Sequence, residues 1–146
     1  MKGGREMEKF KGLMTSTHCD WATPKWLYDE LNKEFGFNDD PCPLSGSGGL
    51  DRDWGSKTYM NPPYGREIGE WIEKAWAESN KGKLIVMLLP SRTDTKWWHD
   101  YIMKANEIRF IKGRLKFGGS KNSAPFPSCV VIFKREGLTG ILVDEK

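Results

Sequence analysis

Apolar residues recur at helical spacing in three stretches of the chain. In the first, Leu27, Leu31 and Phe35 lie four residues apart, after Thr23-Pro24 and before Gly36. A hydroxyl N-cap followed by proline at the first helical position is typical of a helix start, and glycine is typical of a helix end. The second helical face comprises Ile68, Trp71, Ile72, Ala75 and Trp76. The third, capped by Thr93 or Asp94, comprises Trp97, Trp98, Tyr101, Ile102 and Ala105.

Short apolar runs between these helices predict strands. Leu84 to Leu89 is a run of six apolar residues, which is typical of a strand buried on both faces. The other predicted strands are residues 37–40, 57–60, 108–112 and 129–133. Strands and helices alternate in the middle of the chain, whereas the last two strands are joined without a helical pattern. The pattern therefore predicts an α/β fold whose sheet is mostly parallel with an antiparallel end.

The 146 residues have the length of one domain. Residues 1–14 mix lysine, glutamate and glycine without a period and are predicted to be a mobile leader, so the single domain is expected over residues 15–146. The chain is 38% hydrophobic and 29% charged, which disfavours disorder, and no apolar run approaches the ~18 residues of a membrane span. Its three cysteines leave one unpaired in any disulfide scheme. We therefore expect a cytoplasmic protein without membrane contact.

The four residues Asn61-Pro62-Pro63-Tyr64, which we call the proline motif, directly follow the predicted strand 57–60. Consecutive prolines cannot continue a strand ladder and also exclude a helix, so the motif is a stiff turn. Ligands of open α/β sheets bind at strand ends. The motif would hold an amide oxygen, the Pro62 carbonyl and an aromatic ring there. The alternative interpretation is purely structural: the motif is a stiff turn whose tyrosine packs against the protein, and it binds no ligand.

Other short segments of the sequence are informative when they are taken together with the proline motif and Gly65. They are Trp21-Ala22-Thr23-Pro24, Asp39-Asp40-Pro41-Cys42, Gly49-Leu50 to Trp54, Trp71 to Ala75, Leu88-Leu89-Pro90 with Thr93-Asp94-Thr95, and Gly113-Arg114-Leu115-Lys116-Phe117. With these the chain resembles the amino-methyltransferases that carry [Asp/Asn/Ser]-Pro-Pro-[Tyr/Phe], and most closely the phage-type N6-adenine DNA methyltransferase family. The resemblance implies a Rossmann-like methyltransferase sheet, S-adenosylmethionine as the cofactor and DNA as the partner. If the protein is phage-encoded, it would act in a bacterial host cell.

The resemblance also implies a cofactor site. It places Thr23, Pro24, Asp40, Pro41, Cys42 and Asn61 there. Only 20 residues separate Asp40 from Asn61, too few for two more strand and helix units, so the sheet is expected to be a reduced one with residues 37–40 and 57–60 side by side. The loop between them would bring three residues to the ribose or adenine of the cofactor: Asp51, Asp53 and Trp54. Its first part, Ser45 to Gly49, is either a linker or a cofactor contact.

The expected reaction explains the residue types in the proline motif. The N6 lone pair of adenine is delocalised into the ring, so attack on a methyl group develops positive charge on nitrogen. Acceptors are needed, and the Asn61 oxygen and the Pro62 carbonyl can each accept one amino hydrogen. Pro63 stiffens the turn, and Tyr64 can stack on a base that has been flipped out of the duplex. The sequence predicts no metal site, because His18 and His99 lack partners at metal spacing.

The net charge of +3 permits a nucleic-acid partner without requiring one. The residues predicted to contact phosphates are Arg66, Arg92, Arg114, Lys116 and Lys121. Two alternatives stay open from the residues themselves. In the first, the same fold acts on an RNA base, cytosine N4 or a protein glutamine. In the second, the chain is a nucleic-acid-binding module without catalytic activity. The pattern predicts no particular oligomeric state.

Overall fold

A computed structural model describes residues 22–43, 48–118 and 121–134 of the chain. The leader predicted over residues 1–14 lies outside these ranges. The helices are α1 (Lys25–Phe35), α2 (Ile68–Ser79) and α3 (Lys96–Asp100), with short 3-10 helices at Gly49–Asp51 and Ile102–Lys104. The strands are β1 (Lys57–Met60), β2 (Leu84–Pro90), β3 (Glu107–Phe110) and β4 (Ser128–Lys134). None of the described helices has the length and apolarity that a membrane span requires.

The four strands form one mixed sheet in the order β1-β2-β4-β3. β1 and β2 run parallel, whereas β4 lies between β2 and β3 and is antiparallel to both. The α/β class and the antiparallel pairing of the last two strands are confirmed, but the prediction of a mostly parallel sheet is wrong. The described part of the connection between β3 and β4 contains no helix that would carry the chain across the sheet. The chain therefore returns in the reverse direction, and β4 pairs antiparallel on both sides.

The segment predicted as a strand at residues 37–40 forms only one parallel bridge, between Asp39 and Thr58. Asn38 N donates to Lys57 O at 2.7 Å, and Tyr59 N donates to Asp39 O at 3.0 Å. The pairing stops there because the next residue but one, Pro41, has no N–H to donate. The prediction that this segment lies beside β1 is confirmed. Asp40 therefore reaches the same edge of the sheet as the proline motif.

The helix ends agree with the sequence patterns at some positions and differ at others. α1 ends at Gly36 as predicted, because this glycine adopts a φ of 70° and its N–H donates to Asn32 O. Its start differs, since Pro24 lies at the cap position and no side chain caps the helix. The cap of α3 is neither Thr93 nor Asp94 but Thr95, whose hydroxyl oxygen accepts a hydrogen bond from Trp98 N at 3.2 Å.

The core lies on both faces of the sheet, and β2 contributes to each in turn. Ile85, Met87 and Leu89 pack on one face with residues of α2 and α3. Val86 and Leu88 pack on the other face with α1 and with the connection between β3 and β4. All five side chains are fully buried. The prediction that β2 is buried on both faces is confirmed. Because the core covers both faces of the sheet, a functional site is expected where β1 ends.

A buried carboxylate holds the end of α2 against the loop before β1. Glu78 is 1% exposed, and it accepts hydrogen bonds from Lys83, from Lys81 at 3.3 Å and from Trp54 N at 3.2 Å. Lys74 pairs with the same carboxylate at 3.1 Å. Burial alone would raise the pKa of Glu78, but these cations and donors outweigh it and lower the pKa to about 2. The cluster fixes the loop from which β1 and the proline motif emerge.

Candidate active site

The proline motif begins where β1 ends, and most of it is buried. Met60, the last residue of β1, is fully buried, and Asn61 is 7% exposed. Pro62 and Pro63 are also buried and lie outside the ladder with β2. The strand therefore stops at the motif, as the sequence predicts, and Asn61 is held against the protein and does not extend into solvent.

Thr23 connects the start of α1 to the end of β1. Its hydroxyl oxygen lies 2.5 Å from the hydroxyl oxygen of Tyr59, and it accepts a hydrogen bond from Asn61 Nδ2 at 3.2 Å. Thr23 does not cap α1 because its side chain is directed to these two residues of the sheet. This hydrogen bond fixes the orientation of the Asn61 amide group. The amide nitrogen points towards Thr23, and the amide oxygen is on the opposite side of the group.

A cavity of about 300 Å³, which we call the β1 cavity, opens at this edge of the sheet. Its walls include four residues that the sequence assigns to the cofactor: Thr23, Asp40, Cys42 and Asn61. The remaining lining residues are Ala22, Lys25, Tyr28, Pro43 and Tyr59. The structure thus brings together, around one cavity, residues from α1, from the segment beside β1 and from the proline motif.

Two adjacent aspartates at this edge have opposite environments. Asp39 accepts two hydrogen bonds from the Arg52 guanidinium, at 2.8 and 2.9 Å, and one from Gly55 N at 2.8 Å. The bonds to Arg52 hold the pKa of Asp39 below its usual range. Asp40 lines the β1 cavity, and its pKa is raised, chiefly because neighbouring protein atoms displace water, although Cys42 N donates to it at 3.1 Å. Asp40 is therefore the acid available to a ligand, whereas Asp39 holds the loop.

Two tyrosines of the β1 cavity were missed by the sequence analysis. Tyr59 is 2% exposed, and its ring meets that of Tyr28 edge to face, with centroids 5.2 Å apart. Burial raises the pKa of Tyr59, so its hydroxyl stays neutral beside Thr23. A signal was present, since Tyr59 precedes Asn61 by two residues and so shares its face of the strand. Tyr28 had no comparable signal, because its place depends on how α1 packs on the sheet.

Tyr64 ends the proline motif in a half-buried position. Its hydroxyl donates to Leu88 O at 3.2 Å, which ties the motif to β2. Its ring lies edge to face with Phe117, at 6.2 Å, and with Phe126, at 5.5 Å. Burial raises the pKa of Tyr64 well above its usual value, so the phenol is neutral. The ring is thus held by one hydrogen bond to β2 and by contacts with two phenylalanine rings.

Five residues assigned to the cofactor by sequence do not line the β1 cavity. Pro24 and Pro41 are buried beside it, next to residues that do. Asp51 and Asp53 are exposed, and Asp53 pairs with Lys81 at 3.2 Å. Trp54 is 3% exposed, and its indole donates to Gly49 O at 2.8 Å, so it belongs to the core. The loop that holds these last three residues packs against α2, where the rings of Trp54 and Trp71 stack with centroids 6.3 Å apart.

Basic residues surround the proline motif on the solvent side. Arg66 follows it after Gly65, and Arg92 follows β2 after Ser91, with its guanidinium 5.8 Å from the ring centroid of Phe126. Arg114, Lys116 and Lys121 are exposed on the connection between β3 and β4. In that connection Leu115 and Phe117 are buried, so their charged neighbours face outwards. Within the described ranges, no group of three histidine, cysteine or acidic side chains is placed to hold a metal ion.

The family model for DNA N-6-adenine-methyltransferase (Dam) matches residues 12–139, most of the chain. The chain belongs to the Dam family. Among curated proteins, the DNA N-6-adenine-methyltransferase of Haemophilus phage HP1 (strain HP1c1) is 28% identical over 143 residues, which cover 84% of this chain and 82% of the phage protein. No solved structure gives a significant match.

Membership of the Dam family confirms the predicted enzyme class, an adenine-specific DNA methyltransferase. It disfavours both alternatives, the module without catalytic activity and the enzyme that acts on another amine or amide. The resemblance on which the sequence analysis relied is supported over nearly its whole span.

Proposed function

We propose that this protein binds S-adenosylmethionine in the β1 cavity and transfers its methyl group to N6 of an adenine flipped out of DNA. The observation that carries the proposal is the hydrogen bond from Asn61 Nδ2 to Thr23 Oγ1 at 3.2 Å. It ties the polar end of the proline motif to the wall of a ligand-sized cavity. An acceptor for the substrate amine and a site for the methyl donor are thereby adjacent.

The residues of the β1 cavity fit this cofactor. The volume of about 300 Å³ is at the lower end of the range for small-molecule sites. Asp40 supplies a carboxylate for an ammonium or ribose hydroxyl group, and the rings of Tyr28 and Tyr59 are suited to a sulfonium cation, which aromatic faces attract. When bound, S-adenosylmethionine supplies an electrophilic methyl group. Asp40, Thr23 and the two tyrosines would hold it, with Cys42 as a small apolar contact.

The proline motif then acts on the adenine. The Asn61 oxygen and the Pro62 carbonyl accept the two hydrogens of the amino group, which localises the lone pair on N6 and stabilises the positive charge that develops there. The burial of Asn61 strengthens this interaction because little water competes for it. Tyr64 provides a ring on which the flipped base stacks, and its bond to Leu88 O keeps that ring in place.

The cofactor proposal predicts different outcomes for two aspartates. Asp40→Ala is expected to weaken S-adenosylmethionine binding by about tenfold, the equivalent of ~1.4 kcal/mol, because it removes the cavity's carboxylate. Asp51→Ala is the matched control, since Asp51 is exposed and outside the cavity. Isothermal titration calorimetry measures both. Equal affinity in the two variants would remove Asp40 from the site.

The reaction itself is tested by its product. The protein is incubated with DNA and cofactor that carries a labelled methyl group, and the DNA is digested to nucleosides. Label in N6-methyl-2′-deoxyadenosine is the expected result, whereas label in N4-methyl-2′-deoxycytidine, or only in an RNA substrate, would contradict the proposal. We further propose that the enzyme works in the cytoplasm of a bacterial host, since the curated relative that it matches is encoded by a bacteriophage.

The exposed lysine next to Phe117 is expected to contact a DNA phosphate. Lys116→Glu should weaken DNA binding at low salt and reduce the slope of log K against log salt by about one for the lost contact, with a further change from the added negative charge. Lys33→Glu, an equal charge change at an exposed position near the end of α1, is the control. Fluorescence anisotropy at several salt concentrations measures both variants. An identical loss in both would show a general charge effect, and no phosphate contact at Lys116.

A further inference from the structure

A second cavity, which we call the α2–α3 groove, lies between the start of α2 and α3. Its volume is about 580 Å³, and its walls include Gly65, Arg66, Glu73, Trp97 and Tyr101. It belongs to the face of the sheet that α2 and α3 cover, whereas α1 borders the β1 cavity. Nothing in the proposed methyl transfer uses it.

The proline motif connects the two cavities. Asn61 lines the β1 cavity, and Gly65 and Arg66 line the α2–α3 groove. The five residue steps from Asn61 to Arg66 span at most about 18 Å. At ~3.4 Å per nucleotide along a duplex strand, this is the length of about five nucleotides. A DNA strand whose adenine lies at Asn61 therefore has its near neighbours within reach of the groove.

The groove presents an aromatic surface. Trp97 and Tyr101 are both half-buried, and each packs partly against the core. Gly69 lies beside the indole, because a Cβ atom there would be 4.0 Å from Trp97 Cδ1. A larger side chain at this position would cover the ring. Because Gly69 has no side chain, the space beside the Trp97 indole is left to a planar ligand such as a nucleobase.

The charges of the groove are partly paired among themselves. Lys96 and Asp100 form an ion pair at 2.5 Å, which satisfies both. Arg66 and Glu73 are exposed, and neither has an ion-pair partner within the described residues. One free guanidinium and one free carboxylate therefore face the same space as the indole. A guanidinium suits a phosphate, and an ionised carboxylate can only accept hydrogen bonds.

We propose that the α2–α3 groove binds a nucleotide that flanks the target adenine and that, between the two pyrimidines, it favours cytosine over thymine there. Trp97 stacks on the base, Arg66 contacts its phosphate, and Glu73 accepts a hydrogen bond from the exocyclic amino group. Thymine presents an oxygen at the corresponding position and would be repelled by the carboxylate. The groove thereby makes the enzyme sensitive to the sequence that flanks its target. The inference rests on the proposed function for the position of the target adenine.

The test measures DNA binding without cofactor and methylation with it, on oligonucleotides that vary one flanking position at a time. The wild type should prefer cytosine over thymine at one position within about five nucleotides of the adenine, by about tenfold. Glu73→Gln should reduce that preference, because glutamine can also donate a hydrogen bond. Glu70→Gln, an exposed residue of the same helix that does not line the groove, should keep it.

The aromatic contact is tested separately. Trp97→Leu should weaken DNA binding by about tenfold or more through lost stacking, and S-adenosylmethionine affinity should not change. Trp26→Leu, which replaces an exposed tryptophan on α1, should have no effect on DNA binding. Because Trp97 also packs on the core, circular dichroism must first show that the Trp97→Leu variant is folded. If that variant does not fold, the context preference of Glu73→Gln alone tests the groove. Wild-type affinity and context preference in both groove variants would overturn the proposal. If the protein does not methylate DNA but its DNA binding still shows the context preference, the proposed function is contradicted and the groove proposal is not.

Discussion

Asn61→Ala is expected to lower the single-turnover rate of methyl transfer by about a hundredfold or more, as loss of one preorganised charge-stabilising group does elsewhere. The Asn61 oxygen acts on charge that appears only in the transition state, so affinity for DNA and cofactor should change little. The Thr23 hydroxyl fixes the amide and the surrounding residues exclude water, which is why the effect should be large. Rapid-quench measurement with labelled cofactor gives the rate, and calorimetry gives the two affinities.

Two further variants separate this role from a structural one. Asn61→Asp keeps an acceptor oxygen and should retain much more activity than the alanine variant. A 2-aminopurine at the target position reports base flipping by its fluorescence, which should rise with Asn61→Ala and with Tyr64→Phe, but much less with Tyr64→Ala. Full activity of Asn61→Ala would leave the proline motif as a stiff turn with a packed tyrosine.

Glu78→Gln is expected to destabilise the fold by about 3 kcal/mol, the cost typical of breaking a buried ion pair. The variant leaves Lys74, Lys81 and Lys83 close together without the carboxylate that they share. The folded pKa of about 2 lies below the usual 4.5 of glutamate, so this stability is present above pH ~4.5 and is lost as the pH falls towards ~2. Urea unfolding at several pH values measures the effect.

The matched control for Glu78 is Glu70→Gln, on the exposed side of the same helix. It should stay close to the wild type at every pH. Between pH ~4.5 and ~2 the wild type should lose its advantage over Glu78→Gln, so the two stabilities converge. A constant difference over this range would mean that the carboxylate is not ionised in the folded state, and that packing around Glu78 carries the effect.

The elements of the fold could largely be read from local patterns. The runs that became α1 and α2 show helical periodicity, β2 is a continuous apolar run, and the ends of α1 and β1 follow from Gly36 and the proline motif. The sheet direction could not be read in the same way. β4 enters between β2 and β3 because of contacts between residues far apart in the chain, and no local pattern records which strand will be its neighbour.

The candidate site also combines features that the sequence determines with features that only the tertiary structure decides. The sequence alone determines that a stiff polar turn follows β1, because two prolines restrict their own backbone whatever surrounds them. Only the tertiary structure decides that Asp40, and not Asp51 or Asp53, reaches the β1 cavity, and that Tyr28 lines it. Thr23 shows why. Its sequence context fits a helix cap, but the bonds to Tyr59 and Asn61 become available only once α1 packs on the sheet, and they direct its hydroxyl to the site.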